Sequence, residues 1–434
     1  MSRFFGGGMR VPHHKGATAP LSIRSCPLPD EITLPMQQHI GAPCVPCVAV
    51  GDVVLRGQKI AEAQGHVSAP IHASLSGTVT ALQTRPWSGG ASVPCVIIQS
   101  DGRDEAAEPM PPLAIDAPAG ELLARIKEAG LAGMGGAAFP THVKLSPPPD
   151  KRVDVLIING AECEPFITAD HRVMLERAQD IADGTRIAMH ILGVKRAVIG
   201  IERNKPDAIE ALRAIANGFE VMALPARYPQ GGEKVIIQTI LGREVPSGGL
   251  PADAGCVVLN VGTTAAIADA VLRGLPLTQR VVTVTGPGIA QPANLLVRLG
   301  TPFGFAIEAC GGFKQPGAVT RLISGGPMMG LVQPSAEAQC IKGTSGILAL
   351  TAADFGVTRA CINCGRCAAA CPAHLMPMRV SRACKQGDLA PMEKLGALDC
   401  MECGSCSYSC PSKIDVLTPI RLGKRAILAS RKKA

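Results

Sequence analysis

One phrase occurs twice in this chain: CINCGRCAAACP from Cys361 to Pro372, and CMECGSCSYSCP from Cys400 to Pro411. Each copy reads C-x2-C-x2-C-x3-C-P. Three thiols spaced two residues apart wrap one face of an iron–sulfur cage, while the fourth points to the other cage. The proline that follows lacks an N–H and suits a helix start. The spacing therefore predicts two [4Fe–4S] clusters. One takes Cys361, Cys364, Cys367 and Cys410; the other takes Cys400, Cys403, Cys406 and Cys371. A structural zinc site would instead want two CxxC pairs set apart by a finger. The repeat argues for one compact dicluster, ferredoxin-like α domain at about 355–420. Such a domain carries single electrons, so another part of the chain must supply them.

Bulk properties narrow the setting. Of 434 residues, 47% are hydrophobic and only 3% aromatic. That composition is globular, and the length allows several cores. No apolar run reaches the ~18 residues of a membrane span, and the start lacks an apolar stretch of signal-peptide length. A cytoplasmic or peripheral protein is expected. The net charge of +8 is scattered, apart from a basic tail at 421–434. A nucleic-acid partner is not expected, because no basic stripe with interleaved aromatics is present. Cys44 and Cys47 form a lone CxxC, read here as buried thiols at a strand start rather than a redox pair.

The rest of the chain divides by pattern. Residues 1–33 form an N-terminal arm. Residues 34–110 are short alternating strands between glycine turns, as in a barrel-sandwich hybrid of lipoyl type. The lysine that carries a prosthetic group in such domains is missing from its hairpin, AQGHVSAP, and His66 and His72 read as polar surface. Residues 118–275 alternate buried strand and helix, the mark of a parallel α/β domain. Residues 276–345 return to β with a short helix and fit a β-grasp, SLBB-like module.

Within the α/β domain, AGLAGMGGAAFPTHVKL holds Gly133, Gly135 and Gly136, then Phe139 and Lys144. Such a loop lets backbone N–H groups approach a phosphate; its plain alternative is a flexible turn. Polar groups cluster after the strands: Asn159, Glu162 and Glu164 in NGAECEP, Tyr228 and Glu233 in YPQGGEK, and Asn260 and Thr263 in LNVGTT. Strand ends of a parallel sheet are where ligands sit. A helix-capping run before Asp170 is the alternative for the first group.

On these segments the chain resembles the C subunit of the Rnf complex, the NADH-oxidising subunit of the membrane ferredoxin–NAD oxidoreductase. It is similar, more distantly, to the flavin-binding subunit of respiratory complex I. The resemblance implies FMN held by Gly133, Gly135, Gly136, Lys144, Asn159, Glu162, Asn260 and Thr263. It implies NADH contact at Phe139, Glu164, Tyr228 and Glu233, with Phe139 stacking on a ring and the two acids, taken as the catalytic pair, holding ribose hydroxyls. Electrons would pass from NADH through FMN and the clusters, reversibly, towards ferredoxin, with Na⁺ or H⁺ movement by the A, B, D, E and G subunits. The site would lie peripherally on the cytoplasmic face of the bacterial inner membrane. A cobalamin reductase-like flavoprotein and a non-enzymatic dicluster adaptor are the rival readings. The chain departs from the pattern in its arm, where Arg10 and Val11 displace His13 and His14. It departs again in the flavin loop, where Met134 stands in place of the arginine of complex I.

Overall fold

The computed structural model describes residues 6–87, 92–315, 317–352 and 357–433. Its first strand, β1 (Ile23–Ser25), lies in the arm. The strands β2 (Glu31–Pro35), β3 (Val45–Pro46), β4 (Val53–Val54), β5 (Lys59–Glu62), β6 (Ile71–His72), β7 (Gly77–Pro86) and β8 (Ser92–Ser100) build the N-terminal β unit. They form two sheets, ordered β2-β8-β7-β4 and β3-β5-β6. Alternation along β7 buries Gly77 and Val79 and exposes Thr78 and Thr80, as a half-buried strand requires. The expected start at 34 falls inside β2. His72, expected on the surface, is buried; of the two thiols expected to be buried, Cys44 is and Cys47 is exposed.

The central α/β unit contains β9 (Val155–Gly160), β10 (Arg196–Glu202), β11 (Glu220–Leu224) and β12 (Cys256–Asn260). All neighbours are parallel, in the order β11-β10-β9-β12. VLII in β9 is buried throughout because helices cover both faces. The helix Ala178–Leu192 stops at Gly193, which takes φ 64 in the left-handed region. This helix approaches the helix Val261–Leu272 so closely that a Cβ on Gly184 would stand 1.9 Å from the Thr264 carbonyl. The first strands run outward from β9 to one side, then β12 returns on the other. That leaves a crevice at the carboxyl ends of β9 and β12, where Asn159 and Asn260 are paired in register.

A third unit contains β13 (Gln279–Thr285), β14 (Ala293–Arg298), β15 (Val319–Ser324), β16 (Leu331–Gln333) and β17 (Gly346–Thr351), with the helix Phe303–Glu308. Its sheet order is β1-β14-β13-β17-β15-β16. It therefore takes an edge strand from the arm, and its inner strand β17 begins just past the expected boundary at 345. Both pairings join distant residues, which local periodicity does not register.

The cysteine unit follows. The helices Pro377–Gln386 and Leu417–Lys433 pack around Val380, Met392, Val416, Ile420 and Ile427. The basic tail expected at 421–434 is thus the continuation of a core helix. Arg421 and Lys424 are paired with Glu402 at 3.2 and 2.9 Å.

Candidate active site

The glycine-rich loop lies between the helix Ala119–Glu128 and the short helix Thr141–Lys144. It is closed at its neck by Gly133 N donating to Phe139 O at 2.8 Å and Thr141 N donating to Leu131 O at 3.0 Å. Its tip reaches the crevice between β9 and β12. A Cβ on Gly135 would stand 2.6–2.9 Å from the Asn260 side chain, so only glycine fits. Gly135, Gly136 and Ala137 are exposed. Among the described residues, none of their N–H groups has an acceptor within the protein.

The floor of the crevice is made by capping. Asn260 Oδ1 accepts from Gly262 N at 2.8 Å and Thr263 N at 3.3 Å, starting the helix Val261–Leu272; such a cap contributes about 1 kcal/mol. Asn260 Nδ2 donates to Asp170 at 2.6 Å. Thr263 Oγ1 accepts from Met134 N at 2.9 Å and anchors the loop. Asn159 bridges Gly231 O and Ala161 N. Lys144 is paired with Glu233 at 2.5 Å and also donates to Val258 O. The structure thus gathers Gly133, Gly135, Gly136, Asn260 and Thr263 around one loop, with the Lys144–Glu233 pair anchored to β12 through Val258.

Glu162 serves both readings of its segment. Its carboxylate accepts from Asp170 N at 2.7 Å and His171 N at 3.3 Å, capping the helix Ala169–Glu176. Lys15 of the arm pairs with it at 3.6 Å and donates to the Ile167 carbonyl. Burial, reinforced by the Glu162 charge, pushes the Asp170 carboxyl up to about 7.

Glu164 and Tyr228 have internal partners rather than an open face. Glu164 accepts from Met328 N at 3.1 Å and Met329 N at 2.8 Å in the third unit. Burial lifts its carboxyl to about 7, against the opposing effect of those two N–H groups. Tyr228 is 1% exposed, and its hydroxyl donates to Cys403 O at 2.7 Å. It packs with Val11, Cys163 and Cys403. A dinucleotide touching either side chain would have to displace these bonds. The joint they occupy was not legible from the motifs, which place a residue on a strand end but not its neighbour from another unit.

Tyr228 also leads to the cysteines. Cys371, Cys400, Cys403 and Cys406 line one cavity together with Pro372, Leu375, Leu417 and Ile420. This is the crossed set expected from the repeat: three thiols of one run and the fourth of the other. Among the described residues, no three His, Cys, Asp or Glu side chains converge as ligands of a single ion. The thiols surround a volume instead, which suits a polynuclear cluster. Burial pushes Cys400 up to about 11 and Cys406 up to about 12, so binding must displace their protons. For the second set, Arg359 N donates to Ser412 O at 2.9 Å, bringing the segment before Cys361 beside the segment after Cys410.

The arm straps the two sites together. Gly8 N donates to Ala370 O, Met9 pairs with Tyr228, and Gly7 presses on the Cys371 carbonyl, where a Cβ would stand at 2.3 Å. Farther on, His14 stacks on Phe166 at 4.8 Å. Two buried cations of the third unit also reach the loop: Arg280 donates to Met134 O, and Lys342 to Gly130 O. Burial pulls Arg280 down to about 10 and Lys342 down to about 8. Neither residue belongs to a recognisable motif, and only the fold places them here.

The residues fit both kinds of group. Free soft thiols surround the cavity, and a loop that a single Cβ would block presents free N–H groups at a helix-bounded crevice. Family models match in series. They are the RnfC Barrel sandwich hybrid domain at residues 3–103, the Nuo51 FMN-binding domain at 126–269, the SLBB domain at 281–332 and the 4Fe-4S dicluster domain at 360–414. The C subunit of the proton-translocating ferredoxin:NAD(+) oxidoreductase complex of Clostridium ljungdahlii is 50% identical over 391 residues, covering 88% of this chain and 84% of that protein. The C subunit of the Na(+)-translocating complex of Acetobacterium woodii is 47% identical over 437 residues, covering 99% and 98%. Among solved structures, an air-oxidized NAD+-reducing [NiFe]-hydrogenase matches 72% of this chain and 67% of its own at 18% identity, with a TM-score of 0.49.

Proposed function

This chain belongs to the family of C subunits of ion-translocating ferredoxin:NAD(+) oxidoreductase (Rnf) complexes, and from that premise we propose that it is the NADH-oxidising subunit of such a complex, holding FMN and two [4Fe–4S] clusters. Its partners are the A, B, D, E and G subunits, with ferredoxin reached through them. When bound, FMN supplies the exchange between two-electron hydride chemistry and single-electron transfer.

The chain's own residues bind and orient. Gly135 and Gly136 offer N–H donors to the flavin phosphate, with Gly133 closing the neck of the loop. Asn260 and Thr263 hold the loop against the sheet. Lys144, Asn159 and Glu162 complete the frame, while Phe139 and Glu233 are the dinucleotide contacts. Glu164 and Tyr228 are assigned to the joint with the third unit and the cysteines. The eight cysteines hold the clusters in the crossed sets given above. The observation that carries this reading is the position of one unit. Its crevice presents the free N–H groups, and its Tyr228 is bonded to the backbone of cluster ligand Cys403.

Among the described residues, no helix is long and apolar enough to cross a membrane. Peripheral attachment at the cytoplasmic face, through the partner subunits, is the matching proposal.

The test is anaerobic purification followed by a visible spectrum with and without NADH. Bound flavin with about eight irons, bleached by NADH within mixing time, is expected. Irons without flavin, or no bleaching, would favour the dicluster adaptor instead.

A further inference from the structure

We propose that Arg280 and Lys342, both from the third unit, are positioning residues for the flavin: they grip two carbonyls on the N-terminal side of the glycine-rich loop, at its start and next to its tip, and so aim its free N–H groups into the crevice. The inference rests on reading that loop as the flavin site.

Arg280 is 5% exposed and Lys342 is fully buried. Arg280 donates to Val281 O at 3.4 Å, Lys342 O at 2.5 Å and Met134 O at 3.2 Å. Lys342 donates to Pro70 O and Gly130 O, both at 2.7 Å. Every one of these acceptors is a backbone carbonyl; among the described residues, neither cation has a hydrogen-bonded carboxylate. The histidines beside Lys342 stay neutral, since burial and the Lys342 charge hold His39 and His72 down to about 4 and about 3. The Asp170 charge acts on Arg280 without a hydrogen bond between them; buried cations held only by carbonyls are costly, and packed apolar residues would join the units more favourably. The pair therefore calls for a role beyond cohesion.

Peptide geometry supplies one. In a trans peptide, the C=O and the following N–H point in opposite directions. Arg280 holds the Met134 carbonyl, so the Gly135 N–H is turned away from Arg280. On the other side of Met134, Thr263 holds the N–H. Both peptide planes flanking Met134 are thus fixed, by residues from two different units. Beyond them come Gly135, Gly136 and Ala137, exposed and without internal acceptors among the described residues. At the start of the loop, Lys342 fixes the Gly130 carbonyl, where a Cβ would stand 2.4 Å from Pro70 O. Preorganised donors bind an anion without first ordering the loop.

The test uses the full chain with its clusters. FMN is removed and titrated back, with its fluorescence quenching giving the Kd. Hydrogen–deuterium exchange is followed across residues 131–139 before FMN is added. Arg280→Met is expected to weaken FMN by roughly tenfold or more and to speed exchange in the loop. Arg280→Lys, which keeps the charge but spans fewer carbonyls, should recover part of the affinity. Lys342→Met should cost less than Arg280→Met. An Arg280→Met protein with full iron, unchanged melting temperature and wild-type FMN affinity would overturn the proposal. If that variant does not fold, wild-type affinity in Arg280→Lys would overturn it. Gly135→Val separates this failure from failure of the underlying reading. Loss of FMN in Gly135→Val but not in Arg280→Met defeats the positioning role alone. FMN binding unaffected by either places the flavin elsewhere and defeats both.

Discussion

In the first cysteine run, Asn363, Gly365 and His374 take positive φ angles of 52°, 73° and 52°. In the second, Glu402, Gly404 and Lys413 take 57°, 77° and 54° at the matching places. Each run then turns through a four-residue helix, Arg366–Ala369 or Ser405–Tyr408. The backbone wraps are equivalent, yet the surroundings are not. Cys403 and Cys406 are buried, while Cys364 is exposed beside Ile362, which is 67% exposed. The inner wrap is held by Tyr228 on Cys403 and by Lys424, which donates to Cys400 O at 2.6 Å. The outer wrap meets solvent. The repeated phrase specifies the cage, and the neighbouring unit assigns its rank: the inner set faces the α/β unit and the outer set faces away.

The largest test of that difference is Cys403→Ser. It removes a buried ligand at the joint, and about half the iron should be lost together with NADH-driven bleaching of the rest; iron analysis and anaerobic spectra read both. Cys364→Ser should cost a similar share of iron yet leave NADH-driven bleaching of the inner cluster intact. If the two variants behave alike, the inner and outer ranks do not exist.

Tyr228 sharpens the comparison energetically. Tyr228→Ala empties a fully buried ring site and should cost about 3–5 kcal/mol. Tyr228→Phe loses only the bond to Cys403 and should cost about 1 kcal/mol. Denaturation midpoints of the two variants, compared with wild type, give the ratio. Equal small costs would mean that the joint does not depend on packing.

A separate test concerns pH. Glu164 sits at about 7 in the folded chain, above the ordinary carboxylate value of about 4. Between these values the folded state holds a proton that the unfolded state has lost. Its contribution to stability is therefore present at low pH and is lost as pH rises towards 7. Glu164→Gln should lie closest to wild type near the low end of that window and gain on it towards its upper end, in urea denaturation at each pH. A constant gap across that range would contradict the enclosed, proton-holding carboxyl.

Sequence pattern carried much of this architecture. The two cysteine phrases predict crossed ligand sets because thiol spacing is itself the geometry, and Cys371, Cys400, Cys403 and Cys406 line one cavity. Strand–helix alternation states the parallel sheet, and the glycine run with Asn260 states the crevice, since these are local periodicities. What pattern could not carry were pairings between distant residues. β1 enters a sheet whose other strands lie far along the chain, and β17 reaches back across it to β13. His72 reads as polar surface but is covered by another unit. Glu164 and Tyr228 share a strand-end signature with Asn159 and Asn260, and only their partners Met328 and Cys403 set them apart. Arg280 and Lys342 carry no motif, because their meaning lies in the carbonyls they reach.

The central claim is that the inner cysteine set is the one joined to the NADH-oxidising unit. The most direct measurement is stopped-flow bleaching by NADH under anaerobic conditions, comparing Cys364→Ser with Cys403→Ser after iron and flavin content are matched. The account predicts that the cluster remaining in Cys364→Ser is reduced as fast as in wild type, while the one remaining in Cys403→Ser is reduced far more slowly. Equally fast bleaching of the outer cluster without the inner one would contradict it.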